Sequence, residues 1–299
     1  MTVPPPDRAP DRLHDVAVDG FTVKVYDFGD PADPVLLLLN GGPGLPCDYL
    51  RDSHSRLTAL GLRVVAFDQL GTGSSDRPDD PALWTIARYV AEVEAVRTAL
   101  DLGPVHLLGQ SWGGWLAIDY ALTHPEALRS LILCNTCANL PFLQSELDRH
   151  RAALGPETVA MMLHHEAAGT LDHPEYQAAV TILNYRHVCR LQTWPAPVLR
   201  SLNDWNMAPY QAMQGPNEFL YVGNLKDWDR EPDLHRIAVP AWIGVGRFDE
   251  ITPACARRMK ERLPDAELHV FAASSHMPFF EEPEAWFAAL EGFLRARLG

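Results

Sequence analysis

Val105-His-Leu-Leu-Gly109-Gln-Ser111-Trp-Gly113-Gly-Trp-Leu-Ala-Ile118 is the stretch whose reading decides the fold. A short apolar run ends at a glycine, a lone serine follows, and small residues then open a helix-like pattern. This is the G-x-S-x-G elbow, a sharp strand-to-helix turn that presents the serine oxygen at the top of a parallel sheet. Glycine is needed on both sides of the serine, because a side chain there collides with the neighbouring strand or with the start of the helix. Three fixed residues of ordinary abundance match by chance in about one chain in ten of this length. The setting therefore carries the argument: strand-like residues precede the motif and helix-like ones follow it.

Working outward, residues 35–39 (Val-Leu-Leu-Leu-Leu) form a continuous apolar run, as expected of a strand buried on both faces, and end at Asn40-Gly-Gly-Pro-Gly44. A helical stretch over about 49–60 leads to a second buried strand, 64–67, which runs into Asp68-Gln-Leu-Gly-Thr-Gly-Ser-Ser75. That glycine-rich turn lacks the lysine of a phosphate-binding loop, so it reads as a structural turn near the site. Toward the N-terminus, residues 16–18 and 21–28 alternate around Asp19-Gly20, a hairpin signal. The Pro-rich, charged residues 1 to about 12 read as a loose tail. Residues 84–100 carry helix-period apolar positions, 105–108 a strand, 111–123 a helix and 131–134 another strand. Strands alternating with helices predict a parallel α/β sheet with right-handed crossovers.

From about 138 to 235 the β-type runs vanish and helical segments dominate. The alternation resumes with a strand at 240–245, a helix at about 253–263, a strand at 267–271 and a last helix at 283–298. The predicted organisation is an α/β-hydrolase-type core built from 1–137 and 236–299, with a helical cap, 138–235, inserted between its halves.

Apolar residues at 47% and charged ones at 21% are ordinary for a globular chain of 299 residues. A net charge of −14 argues against nucleic acid and anionic membrane surfaces as partners. The five cysteines (47, 134, 137, 189, 255) are odd in number and scattered, which does not suggest a disulfide framework. Cys134-Asn-Thr-Cys137 has no second pair or histidine cluster to complete a metal site, and both cysteines read as small residues at a strand end. The start lacks the apolar core of a signal peptide and no run approaches a membrane span, so a cytoplasmic location is expected. No cofactor is expected.

A serine hydroxyl is a weak nucleophile until a base takes its proton and an acid orients that base. In this fold the partners follow in the order Ser, Asp or Glu, His. Asp249 and Glu250 both lie just past the strand at 240–245, and His276 lies just past the next strand. All three thus fall on loops at the carboxyl edge of the sheet, where open α/β folds bind ligands. His276 stands out from the other eleven histidines by that position. The tetrahedral oxyanion needs backbone donors: one from Trp112, the residue after the nucleophile, the other from the loop around Gly41 and Gly42.

Together these motifs resemble the proline iminopeptidase (prolyl aminopeptidase) family of α/β-hydrolases, and with it the tricorn-interacting aminopeptidase and the L-amino acid amidases. That family's His-Gly-Gly-Pro-Gly loop appears as Asn40 to Gly44, its Asp-Gln-x-Gly-x-Gly-x-Ser turn as Asp68 to Ser75, and its Gly-x-Ser-Trp-Gly elbow as Gly109 to Gly113. The likeness continues through Tyr210-Gln-Ala-Met-Gln-Gly-Pro-Asn-Glu-Phe219, Leu225-Lys-Asp-Trp-Asp229, Gly246-Arg-Phe-Asp-Glu250 and Ser275-His276. The resemblance implies a catalytic triad of Ser111, Asp249 and His276 and an oxyanion hole of Gly42 and Trp112. It further implies that Glu218 and Glu250, with Tyr210 nearby, hold the free amine of an N-terminal residue.

The implied substrates are short peptides or amino acid amides that lose an N-terminal proline or other apolar residue through an acyl-enzyme. Two carboxylates match the two N–H donors of a protonated prolyl nitrogen, and an ammonium buried without such partners is costly. Asn40 departs from the family's histidine. Since the oxyanion donors are backbone groups, catalysis should survive that change. A carboxylesterase or acyltransferase would share the triad without needing the two glutamates, and a non-catalytic binding protein on the same fold is a third reading.

Overall fold

The computed structural model describes residues 8–298. Most of the expected tail lies outside them. From Arg8 on, the chain is anchored, with the guanidinium donating to Thr58 Oγ1 at 2.6 Å and to Asp11 at 2.9 Å. The first strand, β1 (Arg12–Val18), begins earlier than the alternation predicts, because Arg12 makes a forked hydrogen bond to the buried Asp27 (2.8 and 2.9 Å) that draws the edge residues into the sheet. The tail expectation is corrected accordingly over residues 8–12. β2 (Phe21–Phe28) pairs antiparallel with β1 through a tight turn in which Asp19 (φ 52°) and Gly20 (φ 86°) both take the positive φ that such hairpins require.

The remaining strands are β3 (Val35–Leu39), β4 (Arg63–Phe67), β5 (Val105–Gln110), β6 (Leu128–Cys134), β7 (Ala241–Gly246) and β8 (Ala266–Phe271). They lie in the order β1-β2-β4-β3-β5-β6-β7-β8, and every pairing from β4 to β8 is parallel. β3 and β5 are buried along their whole length, and successive residues serve opposite faces. Leu37, Leu39 and Leu107 join the apolar cluster on one side, whereas Leu36, Leu38 and Leu108 join the cluster on the other.

Helices cover both faces: α1 (Asp48–His54), α2 (Ile86–Ala99) and α3 (Trp112–Thr123) in the first half. α3 is apolar nearly all round and almost entirely buried, as a helix at the centre of a large domain must be. Between β6 and β7 the chain leaves the sheet for α4 (Leu140–Ala152), α5 (Pro156–Ala168), α6 (Pro174–Leu183), α7 (Ala196–Asn203) and α8 (Met207–Met213), with a π-turn at Asn184–Val188. It then returns for α9 (Pro253–Arg262), α10 (Pro278–Glu281) and α11 (Pro283–Arg295). Among the described residues no helix is long and apolar enough to cross a membrane.

The order matters for the site. The chain runs from the central β3 outward to β4, then crosses back to lay β5 on the other side of β3. The connections therefore diverge above the carboxyl ends of β3 and β5, the switch point at which open α/β sheets form a crevice. Asn40 to Gly44 leaves β3 there, and Ser111 leaves β5.

Candidate active site

Ser111 follows the last residue of β5 and precedes the first of α3, with φ 57° and ψ −124°. An L-residue rarely adopts this backbone, at a typical cost of about 1–3 kcal/mol. Tight packing around the turn holds it there. A Cβ on Gly109 would run into the carbonyl of Gly113, and one on Gly113 into the carbonyls of Leu39 and Asn40 at the end of β3. The Ser111 carbonyl is fixed by Thr136 Oγ1 at 2.8 Å and its N–H by Cys134 O at 3.0 Å.

Asp249 and His276 sit on the loops after β7 and β8, and the structure brings them together: Nδ1 of His276 lies 2.7 Å from Asp249 Oδ1. The same carboxylate oxygen accepts the Ile251 N–H (2.9 Å), and Oδ2 accepts Asn135 Nδ2 (2.6 Å). Asp249 is fully buried, so these hydrogen bonds are what makes its burial tolerable. Burial by itself would lower the pKa of His276. The charge and hydrogen bond of Asp249, followed by the charge of Glu218, outweigh that and leave the imidazole above its ordinary value. The other ring nitrogen, Nε2, is 3.6 Å from Glu250 Oε1.

The loop after β3 borders the same cavity as Ser111. Gly41 N–H donates to the Tyr49 hydroxyl at 2.6 Å, and the next residue, Gly42 (φ 119°), lines the cavity beside Ser111. Trp112 is the first residue of α3, where a backbone N–H has no intrahelical acceptor. Asn40, the departure from the resembled family, ties the loop to itself through Nδ2, which donates to Gly41 O (3.0 Å) and Leu45 O (2.6 Å). Asn40→Ala is therefore expected to destabilise the protein by about 1–3 kcal/mol in a denaturant titration, as it strands buried carbonyls. An unchanged midpoint would show that the loop does not depend on this side chain.

The glycine-rich turn is structural, as its sequence suggests. Asp68 accepts from Cys47 N–H (3.0 Å), Ser74 N–H (2.9 Å) and the Tyr26 hydroxyl (2.8 Å). Its neighbour Gln69 braces the site by accepting the Trp112 indole N–H at 2.9 Å.

Glu218 lies on the stretch after α8, lines the same cavity as Ser111 and His276, and accepts from Gln214 Nε2 at 2.7 Å. Burial pushes its carboxyl above the ordinary range, against the opposing pull of Gln214, His276 and Tyr210. Tyr210 is fully buried, and its hydroxyl accepts from the same Gln214 Nε2 at 2.9 Å. Glu250 is 1% exposed, and neither of its carboxylate oxygens has a hydrogen-bond partner among the described residues. Burial first, then the charges of Glu218 and Asp249, push its carboxyl well above the ordinary range.

A cavity of about 160 Å³ opens at this site. Gly41, Gly42, Ser111, Glu218 and His276 line its polar end. Its other end is apolar, with Trp194, Val198, Leu202 and Trp205 supplied by the chain between β6 and β7.

Two groups of residues escape a reading of the sequence. Asn135, which holds Asp249, sits inside the Cys134-Asn-Thr-Cys137 stretch. Its signal is a polar residue directly after a buried parallel strand, and its φ of 50° marks the special turn. Trp205 and Asn206 pin the Asn40–Gly44 loop, through Trp205 Nε1 to Pro43 O (3.1 Å) and Asn206 N–H to Gly44 O (2.9 Å). Nothing in the sequence marks those contacts, because they join residues far apart in the chain.

The sheet order, the elbow and the switch-point crevice define the class: an α/β-hydrolase enzyme. Residues 34–283 match the family described as alpha/beta hydrolase fold. Over 283 residues the chain is 35% identical to the proline iminopeptidase of Heyndrickxia coagulans, an alignment covering 94% of this chain and 97% of that one. Among solved structures, VinJ superposes with a TM-score of 0.91 at 35% identity, and the proline iminopeptidase of Mycobacterium smegmatis with 0.87 at 33%; each comparison covers 96% of this chain and 99% of the other. The chain belongs to the proline iminopeptidase family.

Proposed function

We propose that this enzyme removes an N-terminal residue, proline or another apolar amino acid, from short peptides or amino acid amides. Ser111 Oγ attacks the carbonyl while His276 Nε2 takes its proton, and Asp249 holds the ring in the required tautomer. The N–H groups of Gly42 and Trp112 receive the oxyanion. His276 then protonates the leaving amine, and water cleaves the acyl-enzyme by the same steps in reverse order of roles. In this reading 1–137 and 236–299 form the catalytic core and 138–235 the cap, which contributes Glu218, Tyr210 and the apolar wall. The enzyme acts in the cytoplasm, and its five buried, unpaired cysteines fit a reducing compartment.

The observation that carries the proposal is Glu250. A buried carboxylate with no hydrogen-bond partner on either oxygen among the described residues, beside a second desolvated carboxylate, is a costly arrangement that a further cation would relieve. A substrate ammonium is such a cation, and a secondary prolyl ammonium offers one N–H to each glutamate.

The test is steady-state hydrolysis of prolyl, alanyl, leucyl and phenylalanyl anilides, each beside its N-acetylated twin, with a simple acyl ester in the same plate. Free amines should turn over and acetylation should lower kcat/KM by at least about a hundredfold, the cost of losing a charge-assisted pair and leaving buried carboxylates unmatched. Equal or better turnover of the acetylated compounds or the ester would sink the aminopeptidase reading in favour of an esterase or acyltransferase.

A further inference from the structure

Glu250 faces more than the amine. Its Oε1 stands 3.6 Å from His276 Nε2, the ring nitrogen that must be unprotonated to accept the Ser111 proton. The separation is that of an ion pair rather than a hydrogen bond. The groups that face His276 are almost all acidic: Asp249 and Glu250 from the loop after β7, Glu218 from the stretch after α8, and Glu281 from α10. Behind them, the hydroxyls of Tyr210 and Tyr221 feel the charges of Glu218 and Glu250, and burial, ahead of those charges, holds both well above their ordinary values, so both remain neutral. On the far side of Asp249, His150 Nε2 and His187 Nδ1 reach the carbonyls of Asp249 and Phe248, and burial keeps both rings below their ordinary values.

We infer that the empty site holds one extra proton on the Glu250–His276 pair, and that the substrate's ammonium expels it, so that recognition of the amine and activation of the base are a single event. Resting on the amine-binding reading above, this gives Glu250 a second task. Without substrate, the proton sits on Nε2, where the imidazolium offsets the crowd of carboxylates and is held by Glu250 as an ion pair, and Nε2 cannot act as a base. When the ammonium docks between Glu218 and Glu250 it supplies the positive charge, and the pair's proton leaves to bulk water. Neutral His276 then takes the Ser111 proton as the Oγ–carbon bond forms. A substrate without a free amine binds an enzyme whose base is still blocked, so it loses in kcat as well as in KM. Both shifts act in the required direction: burial, then the charges of Glu218 and Asp249, push Glu250 up, and Asp249 with Glu218 holds His276 up against its own burial.

The decisive variant is Glu250→Gln, tested with two substrates. With a free-amine prolyl anilide, kcat/KM should fall by about a hundredfold or more. With p-nitrophenyl acetate, a neutral acylating ester, the acidic limb of the pH–rate profile should move down by about one pH unit, making acylation of Ser111 at pH 6 up to about tenfold faster than in the unmodified enzyme. If anilide turnover falls but the ester limb stays in place, the coupling is overturned and the amine site stands. If anilide turnover is unchanged, the amine site itself is wrong, and the coupling with it. A measurement on the unmodified protein guards against a misfolded variant. L-Prolinol, an ammonium with no carbonyl, is titrated calorimetrically near pH 7 in buffers of different ionisation enthalpy. Release of a substantial fraction of a proton per prolinol bound supports the exchange, and binding with no release overturns it.

Discussion

Ser111→Ala is expected to lower kcat by about 10⁴- to 10⁶-fold, leaving only the residual rate that an oxyanion hole and substrate binding supply. The substitution removes one oxygen and keeps the backbone of the elbow, so substrate affinity should survive. A free-amine amide should bind with a Kd close to the KM of the active enzyme. Ser111→Gly separates function from strain. The observed φ of 57° and ψ of −124° cost a serine or an alanine about 1–3 kcal/mol. Glycine takes this backbone freely but loses roughly 0.5–1 kcal/mol through its greater freedom in the unfolded chain. Ser111→Gly should therefore be equally inactive yet more stable than Ser111→Ala by about 0.5–2 kcal/mol in a thermal or denaturant melt. Equal stability of the two variants would mean that the elbow stores no strain; substantial hydrolysis by either would remove Ser111 from the nucleophile's role.

Asp249→Asn should cost about 10⁴-fold in kcat, with the fold intact. Asp249 accepts from His276 Nδ1, Ile251 N–H and Asn135 Nδ2, and an amide can accept from only part of that set. With its NH₂ turned to the imidazole, it would force the proton onto Nε2, the wrong tautomer for a base. With its NH₂ turned the other way, it would oppose the Asn135 amide donor. Either arrangement disables the ring or breaks a buried hydrogen bond. The loss should be smaller at high pH, where Ser111 needs less help to ionise, so the pH–rate profile is the informative measurement. A loss below about tenfold at neutral pH would point to Glu250 as the acid that orients His276. The geometry argues otherwise, since Asp249 meets Nδ1 at 2.7 Å whereas Glu250 meets Nε2 at 3.6 Å.

That choice between neighbouring acids marks the border between what the chain declares and what folding decides. The local features were legible because each is short-range physics. Fully apolar runs such as 35–39 become strands buried on both faces, Asp19-Gly20 becomes a tight hairpin turn, and Gly109 and Gly113 mark a turn where no Cβ fits. The alternation of these runs with helical periods led to the mostly parallel sheet, and chain order led to the loops that carry Ser111, Asp249 and His276. The first strand starts four residues before its apolar alternation, because a charged edge strand bound through Arg12 and Asp27 shows none at its start.

Other properties depend on distance in space rather than in sequence, and only the tertiary structure decided them. Asn135 reaches Asp249 across two strand ends, and Trp205 and Asn206 hold the Asn40–Gly44 loop from more than one hundred and fifty residues away. Tyr210 and Glu218 share one donor, the Gln214 side-chain amide. Glu250 proves to be a buried carboxylate beside His276, with no hydrogen-bond partner among the described residues. A sequence records which groups a chain carries, and its periodicities record which faces are buried. Desolvation and the fields that shift a carboxyl or an imidazole arise only when remote segments close around them, so the electrostatics of this site had to be read from the fold.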